Sequence, residues 1–184
     1  SMHKSETRTI AEAHGFISAK RKESQDICFI PDGDYASFIE RYTGKKIASG
    51  NFVDMDGNVL GIHRGIIHYT VGQRKGLGLA LKHPMYVQYI DVDNNEVVLG
   101  SNEDLFKREL TAHNFNWVSI ACPDAPFRAK ARIRYKHKEA PATITPLSET
   151  EVKIVFDEPQ RAITKGQSVV VYDGDYVVGG GKIV

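Results

Sequence analysis

From Phe127 to Lys138 the chain alternates strictly: Arg128, Lys130, Arg132, Arg134, Lys136 and Lys138 take the even positions, and apolar, aromatic or histidine residues the odd ones. Successive side chains of a β-strand point to opposite faces, so the pattern predicts a strand over Phe127–Tyr135 within a cationic run whose one face carries six positive charges. Lysines on a solvated strand edge guard against aggregation, which is the bland explanation. Guarding rarely takes so many cations that repel one another. The chemistry they offer is contact with phosphates, which positions a polynucleotide backbone without reading its sequence.

A second stretch, Gly61 to Gly78, is punctuated by glycine and basic at its end, where Gly72-Gln73-Arg74-Lys75-Gly76-Leu77-Gly78 is too glycine-rich for a helix interior and too basic for a core. It predicts an exposed loop whose amides can approach an anion, with an ordinary turn as the alternative. A nucleotide P-loop is excluded, because Gly76 is followed by Leu77 where that motif needs Lys and then Ser or Thr.

Cys28 sits between Ile27 and Phe29, the setting of a small buried hydrophobe. Lys20, Arg21 and Lys22 lie upstream, and cationic surroundings raise the thiolate fraction, while Asp26 opposes it. Both roles stay open on these residues. Cys122, next to Pro123, has no supporting acid, base or cation cluster. His63 and His68 stand five apart, wrong for one helix face, and there is no CxxC pair, so no metal is expected. No Ser-His-Asp or paired-carboxylate arrangement is defensible.

The elements that must carry these groups are short. Within 184 residues, 41% hydrophobic and 26% charged, no apolar run approaches the ~20 residues of a membrane-spanning helix, so no membrane association is expected. Lys plus Arg number 24 against 23 Asp plus Glu, and affinity for nucleic acid must therefore come from local clustering. Two cysteines and no signal segment point to a reducing cytosol. Ser1-Met2 looks like the scar of a cleaved tag, so the chain reads as a piece of something longer. Helices are predicted over 5–14, capped by Ser5 and stopped by Gly15, and over about 33–43. Beyond residue 48 short strands are separated by the turn pairs Asp56-Gly57, Asn94-Asn95 and Asp173-Gly174, and from Leu110 nearly everything reads as β. The expected fold is mainly β, with a short helical lead-in, a small mixed central module and a C-terminal β-barrel, divided as 1–48, 49–106 and 107–184.

Three separated stretches carry a resemblance to a known family. Ser24-Gln25-Asp26-Ile27-Cys28-Phe29-Ile30, the block Gly61 to Gly78 with its core from Tyr69, and Pro159-Gln160-Arg161-Ala162-Ile163 through Gly166-Gln167 to Gly179-Gly180-Gly181 are similar, in this order, to the bacterial tRNA-specific 2-thiouridylases, or tRNA-uridine 2-sulfurtransferases. The resemblance implies a fragment. That family's enzyme begins with an ATP-pyrophosphatase domain carrying an SGGxDS loop and a first active-site cysteine, and this chain contains neither. Residues 1 to about 30 then resemble that domain's tail, and the barrel resembles the second domain of elongation factor Tu.

By the same resemblance, the wobble uridine of glutamate, glutamine and lysine tRNAs is adenylated with ATP, and a persulfide sulfur displaces AMP. Cys28 becomes the persulfide-bearing cysteine, loaded by a sulfur-relay protein and able to form a disulfide with its partner cysteine. Tyr69, Thr70, Gln73, Arg74 and Lys75 are expected to meet the anticodon arm. Arg128, Lys130, Arg132, Arg134 and Lys136 are expected to meet tRNA phosphates. No cofactor is expected to bind this chain itself, which is expected to be cytoplasmic, monomeric and inactive alone. The rival is a non-catalytic RNA-binding or translation-associated barrel with a structural cysteine, and a partner-protein docking module is a third possibility.

Overall fold

The computed structural model describes residues 2–20, 30, 34–135 and 137–184. Two compact units divide the chain, residues 1–46 and 47–184. Cys28 and Lys136 lie outside the described residues, as does the lead-in of polar residues 21–26.

In the first unit, α1 (Lys4–Ala13) starts two residues earlier than its cap Ser5 predicts. His3 is the N-cap, and its backbone N–H donates to the Glu6 carboxylate at 2.7 Å. Ser5 is already inside the helix, where its carbonyl accepts from the Thr9 hydroxyl. The second helix, α2 (Tyr35–Thr43), is capped as its sequence requires: the Asp34 carboxylate accepts from the Ser37 N–H at 3.0 Å, and Gly44 ends it in the left-handed conformation.

The second unit opens with a four-stranded sheet of β1 (Gly50–Val53), β2 (Val59–His63), β3 (Tyr86–Asp91) and β4 (Glu96–Gly100), in the order β2-β1-β4-β3. β1 and β4 run parallel, and the other neighbours are antiparallel. Both hairpins are closed by one aspartate that gathers local donors. Asp54 accepts from the Asp56 and Asn58 N–H groups and the Asn58 side chain, and Asp91 does the same with Asp93 and Asn94. Phe52, Tyr69, Leu77, Val87, Val97 and Leu99 form the core on this sheet.

A six-stranded closed barrel follows, made of β5 (Phe106–Trp117), β6 (Phe127–Arg132), β7 (Ala140–Ser148), β8 (Glu151–Arg161), β9 (Ser168–Asp173) and β10 (Tyr176–Ile183), in the circular order β10-β5-β8-β7-β6-β9. Closure leaves no exposed edge, and alternate residues point inward: Val152, Ile154 and Phe156 of β8 meet Leu110, Ala112 and Phe115 of β5 in one core. Gly179 of β10 explains part of the glycine triplet. A Cβ there would lie 2.5 Å from the Asn116 carbonyl oxygen and 2.5 Å from the Phe115 ring, so only glycine lets this strand close over Phe115.

The expected strand from Phe127 to Tyr135 is shorter than predicted, because β6 ends at Arg132. Ile133 turns into the barrel core at 1% exposure, and Arg134 is drawn to the end of β8. The chain bends there, and the six-cation face breaks after its third member. Among the described residues no helix is long and apolar enough to cross a membrane.

Candidate nucleic-acid interface

The basic loop is built from its buried end outward. His63, 1% exposed, accepts the Gly65 N–H on Nδ1 at 3.0 Å, so its proton sits on Nε2, 3.1 Å from the Asn95 carbonyl. Tyr69 packs edge-on against Phe52 and His63, with ring centres 5.0 and 5.7 Å apart. Its ring is therefore a core anchor beneath the loop.

From there the chain folds back on itself. Gln73 and Thr70 exchange two bonds, the Thr70 N–H to Gln73 Oε1 and the Gln73 N–H to the Thr70 carbonyl, each 3.0 Å. The Gln73 amide N–H reaches the Lys75 carbonyl at 3.0 Å, so both ends of this side chain hold the loop's shape. Gly72 and Gln73 also bond Val87 of β3, at 2.8 and 3.0 Å, which fastens the loop to the sheet. Leu77 is buried, while Thr70, Arg74 and Lys75 are exposed, and among the described residues no carboxylate pairs with Arg74 or Lys75. Beside them lies an open groove of about 500 Å³, lined by Arg74, by Gly76 to Leu81, and by Lys82, His83, Pro84 and Met85.

The end of β8 meets this loop. The Arg161 guanidinium donates from Nε to Asn102 Oδ1 at 3.1 Å, reaches the Gly72 carbonyl at 3.5 Å and lies over the Tyr86 ring, 5.4 Å from its centre. Ala162 follows with φ +57°, a left-handed conformation that costs a non-glycine residue roughly 1–2 kcal/mol. It is held there by its N–H bond to the Leu105 carbonyl at 2.8 Å and by its carbonyl, which accepts from Arg134 at 2.7 Å and from the Thr164 hydroxyl at 2.9 Å. Arg134 donates to Thr164 Oγ1 as well, at 2.7 Å. Burial, and then the neighbouring charge of Arg161, lowers the pKa of Arg134 below the usual guanidinium value. Gly72 belongs to the same junction, since a Cβ there would come within 3.2 Å of the Ala162 side chain and 3.3 Å of Arg161.

The fold thus joins the Thr70–Lys75 loop to Arg134 through Arg161 and Ala162. The other strand cations are placed differently. Arg128 makes a two-pronged pair with Asp157, at 2.8 and 2.5 Å, and bonds the Thr143 hydroxyl. The hydrogen bonding between Arg128 and Asp157 lowers the pKa of Asp157 and raises that of Arg128. Arg132 is half-buried, pairs with Glu139 at 3.2 Å and covers Tyr172, with its Nε left unpartnered. Carboxylates from neighbouring segments thus offset the repulsion that the sequence alone implies. Lys130 is exposed, and no carboxylate pairs with it among the described residues.

Sequence reasoning missed Arg161, Asn102 and Tyr86. Arg161 stands in a stretch that carried the family resemblance, but no spacing rule connects it with Gly72, 89 positions earlier. Cys122 is a half-buried free thiol whose Sγ lies 3.8 Å from the Pro123 and Ser148 carbonyls. Among the described residues there is no group of three His, Cys, Asp or Glu able to hold a metal ion.

Three family models match in succession: the tRNA methyl transferase HUP domain over residues 1–32, the tRNA methyl transferase PRC-barrel domain over 36–101, and the aminomethyltransferase beta-barrel domain over 107–183. The tRNA-specific 2-thiouridylase MnmA of Acetivibrio thermocellus is 57% identical over 180 residues, 98% of this chain and 50% of that protein. Proteins of the same name from Clostridioides difficile and Lachnoclostridium phytofermentans are 53% and 52% identical, over 98% of this chain and 50% and 51% of their own lengths. The chain spans about half the length of the curated relatives it matches. With such identity along nearly its whole length, the chain belongs to the tRNA-specific 2-thiouridylase family.

Proposed function

We propose that this chain is the tRNA-binding and sulfur-carrying part of an enzyme that 2-thiolates the wobble uridine of glutamate, glutamine and lysine tRNAs. The observation that carries the tRNA-binding part is the loop that exposes Arg74 and Lys75 side by side, with no carboxylate paired to either among the described residues, and that is fastened at Gly72 to Arg161, next to the Ala162 carbonyl that holds Arg134. Cations clustered in this way hold a polynucleotide backbone although the chain's net charge is only +1. Thr70 lies on the same loop, Gln73 and Tyr69 give it shape, and Lys130, exposed on β6, adds a phosphate contact. Arg128 and Arg132 contribute less because Asp157 and Glu139 already hold them, and Lys136, outside the described residues, belongs to the same reading by its place in the sequence alone.

The division into residues 1–48, 49–106 and 107–184 is part of the same reading and is supported by the three successive family matches. Cys28 is the sulfur carrier. A relay protein's persulfide passes its outer sulfur to the Cys28 thiolate and is left as a thiolate. That sulfur then attacks C2 of the adenylated uridine as AMP departs, and a second cysteine's thiolate breaks the resulting S–S bond, forming a disulfide with Cys28 and freeing the 2-thiouridine. Alternatively, a second cysteine attacks the persulfide, forms a disulfide with Cys28 and releases the sulfur as sulfide.

The described glycine-rich basic loop does not fit an ATP site: it has Leu77 where a phosphate loop needs lysine, and its Gln73 amide is spent internally. Adenylation therefore belongs to the remainder of the enzyme, which acts in the cytoplasm, and the chain by itself is monomeric and inactive.

Cys28→Ser in the whole enzyme, given ATP, a sulfur donor and tRNA, is expected to abolish 2-thiouridine while leaving tRNA affinity within twofold of the parent. Retained 2-thiouridine would refute the carrier role. For the isolated chain, Arg74→Ala with Lys75→Ala is expected to weaken tRNA binding and flatten its salt dependence, and unchanged affinity would remove the loop from the account.

A further inference from the structure

We propose that Arg161 is a positioning residue for RNA binding: it fixes the Thr70–Gly78 loop to the end of the barrel so that Arg74 and Lys75 meet the same stretch of backbone as Arg134. This rests on the RNA-binding reading above. Its guanidinium is occupied on three sides, by Asn102, by the Gly72 carbonyl and by the Tyr86 ring, so its charge serves the junction rather than solvent. Asn102 lies between β4 and β5, Gly72 on the loop and Tyr86 on β3, so one side chain ties three segments of the central sheet module to the last residue of β8. The next residue, Ala162, receives Arg134 on its carbonyl and sits against Gly72. A shift of Arg161 is therefore transmitted to both groups of cations. Lysine cannot replace it, because a single ammonium lacks the planar fork that reaches a side-chain oxygen and a carbonyl while lying on a ring.

The test is tRNA binding by the full chain, followed across salt from about 50 to about 300 mM, where each lost phosphate contact lowers the slope of log K against log salt by roughly 0.7–0.9. Arg161→Met and Arg161→Lys are both expected to weaken binding by roughly five- to tenfold and to lower the slope by about 1.5, the share of two contacts. On an Arg74→Ala/Lys75→Ala background the same changes are expected to add less than about twofold, since their effect acts through the loop. Asn102→Ala, which leaves Arg161 in place, should give a partial loss of about two- to threefold and serves if the Arg161 variants fold poorly. Mere loss of folded protein lowers the fraction able to bind but leaves the slope unchanged.

Wild-type affinity for Arg161→Lys would overturn the proposal, because charge alone would then suffice. Effects of Arg161→Met and of the loop double variant that multiply would overturn it too, while the RNA-binding reading stands. If the loop double variant itself binds normally, that reading falls, and the proposal with it.

Discussion

Replacing Gly179 by alanine tests how the barrel closes. The added Cβ would lie 2.5 Å from the Asn116 carbonyl oxygen and from the Phe115 ring, and the first of these is backbone that cannot rotate away. Relief to 3.0 Å or more requires β10 to move off β5 where Gly179 faces Trp117 and Gly180 faces Asn116. Overpacking of this kind costs about 1–3 kcal/mol, and one or two ladder hydrogen bonds add about 1 kcal/mol each. The stiffer unfolded chain offsets roughly 0.5 kcal/mol. A net loss of about 2–4 kcal/mol should lower the melting temperature of a unit of this size by roughly 10 °C. Trp117, the chain's one tryptophan, reports the event directly: its ring centre is 4.7 Å from that of Phe115, and its indole N–H donates to the Glu149 carbonyl at 2.9 Å. Thermal unfolding followed by its fluorescence is the assay. Gly174→Ala, at φ +55° with open space around it, serves as a comparison that strains the backbone without a clash. Melting of Gly179→Ala within 2 °C of the parent would refute the packing account. If tRNA binding were lost at the same time, the glycines would instead be read as an RNA contact.

Other expectations concern the cations and the acid limit. Lys130→Ala should weaken tRNA binding by about two- to threefold and lower the salt slope by roughly 0.7–0.9, whereas Arg128→Ala should do less because Asp157 already holds that guanidinium; equal effects in a binding titration would contradict this. Asp54 and Asp91 are held below the ordinary value of 3.8 chiefly by the Asn58 and Asn94 side chains, and Asp157 by Arg128. A carboxyl depressed by folding stabilises the fold above its unfolded value and ceases to do so as the pH falls through its folded value. Stability should therefore hold from pH 7 to about 5 and decline below about 4. Carboxyl NMR titrations should place all three midpoints below 3.8, and a midpoint at or above that value for Asp54 would contradict the turn chemistry.

Much of the fold is written locally. Alternation along β8, the aspartate-centred turns and the left-handed Gly44 and Gly174 follow from the chemistry of neighbouring residues, so strands and hairpins could be placed without knowing their partners. Alternation could not show where β6 stops, because the bend after Arg132 is made by the barrel core taking Ile133 and by Ala162 taking Arg134. It could not show the pairing of the cations either, since Asp157 stands 29 positions from Arg128.

Residue types and spacing alone determined a mainly β chain with a cationic run, a glycine-rich basic loop and a cysteine in a recognisable setting. Which cations are spent on structure and which remain for a partner was decided by the tertiary structure. Closing the barrel brings Asp157 and Glu139 to Arg128 and Arg132, and it carries Arg161 across to Gly72. A side chain's charge is legible one residue at a time, whereas its availability depends on what the folded chain sets within about 3 Å of it.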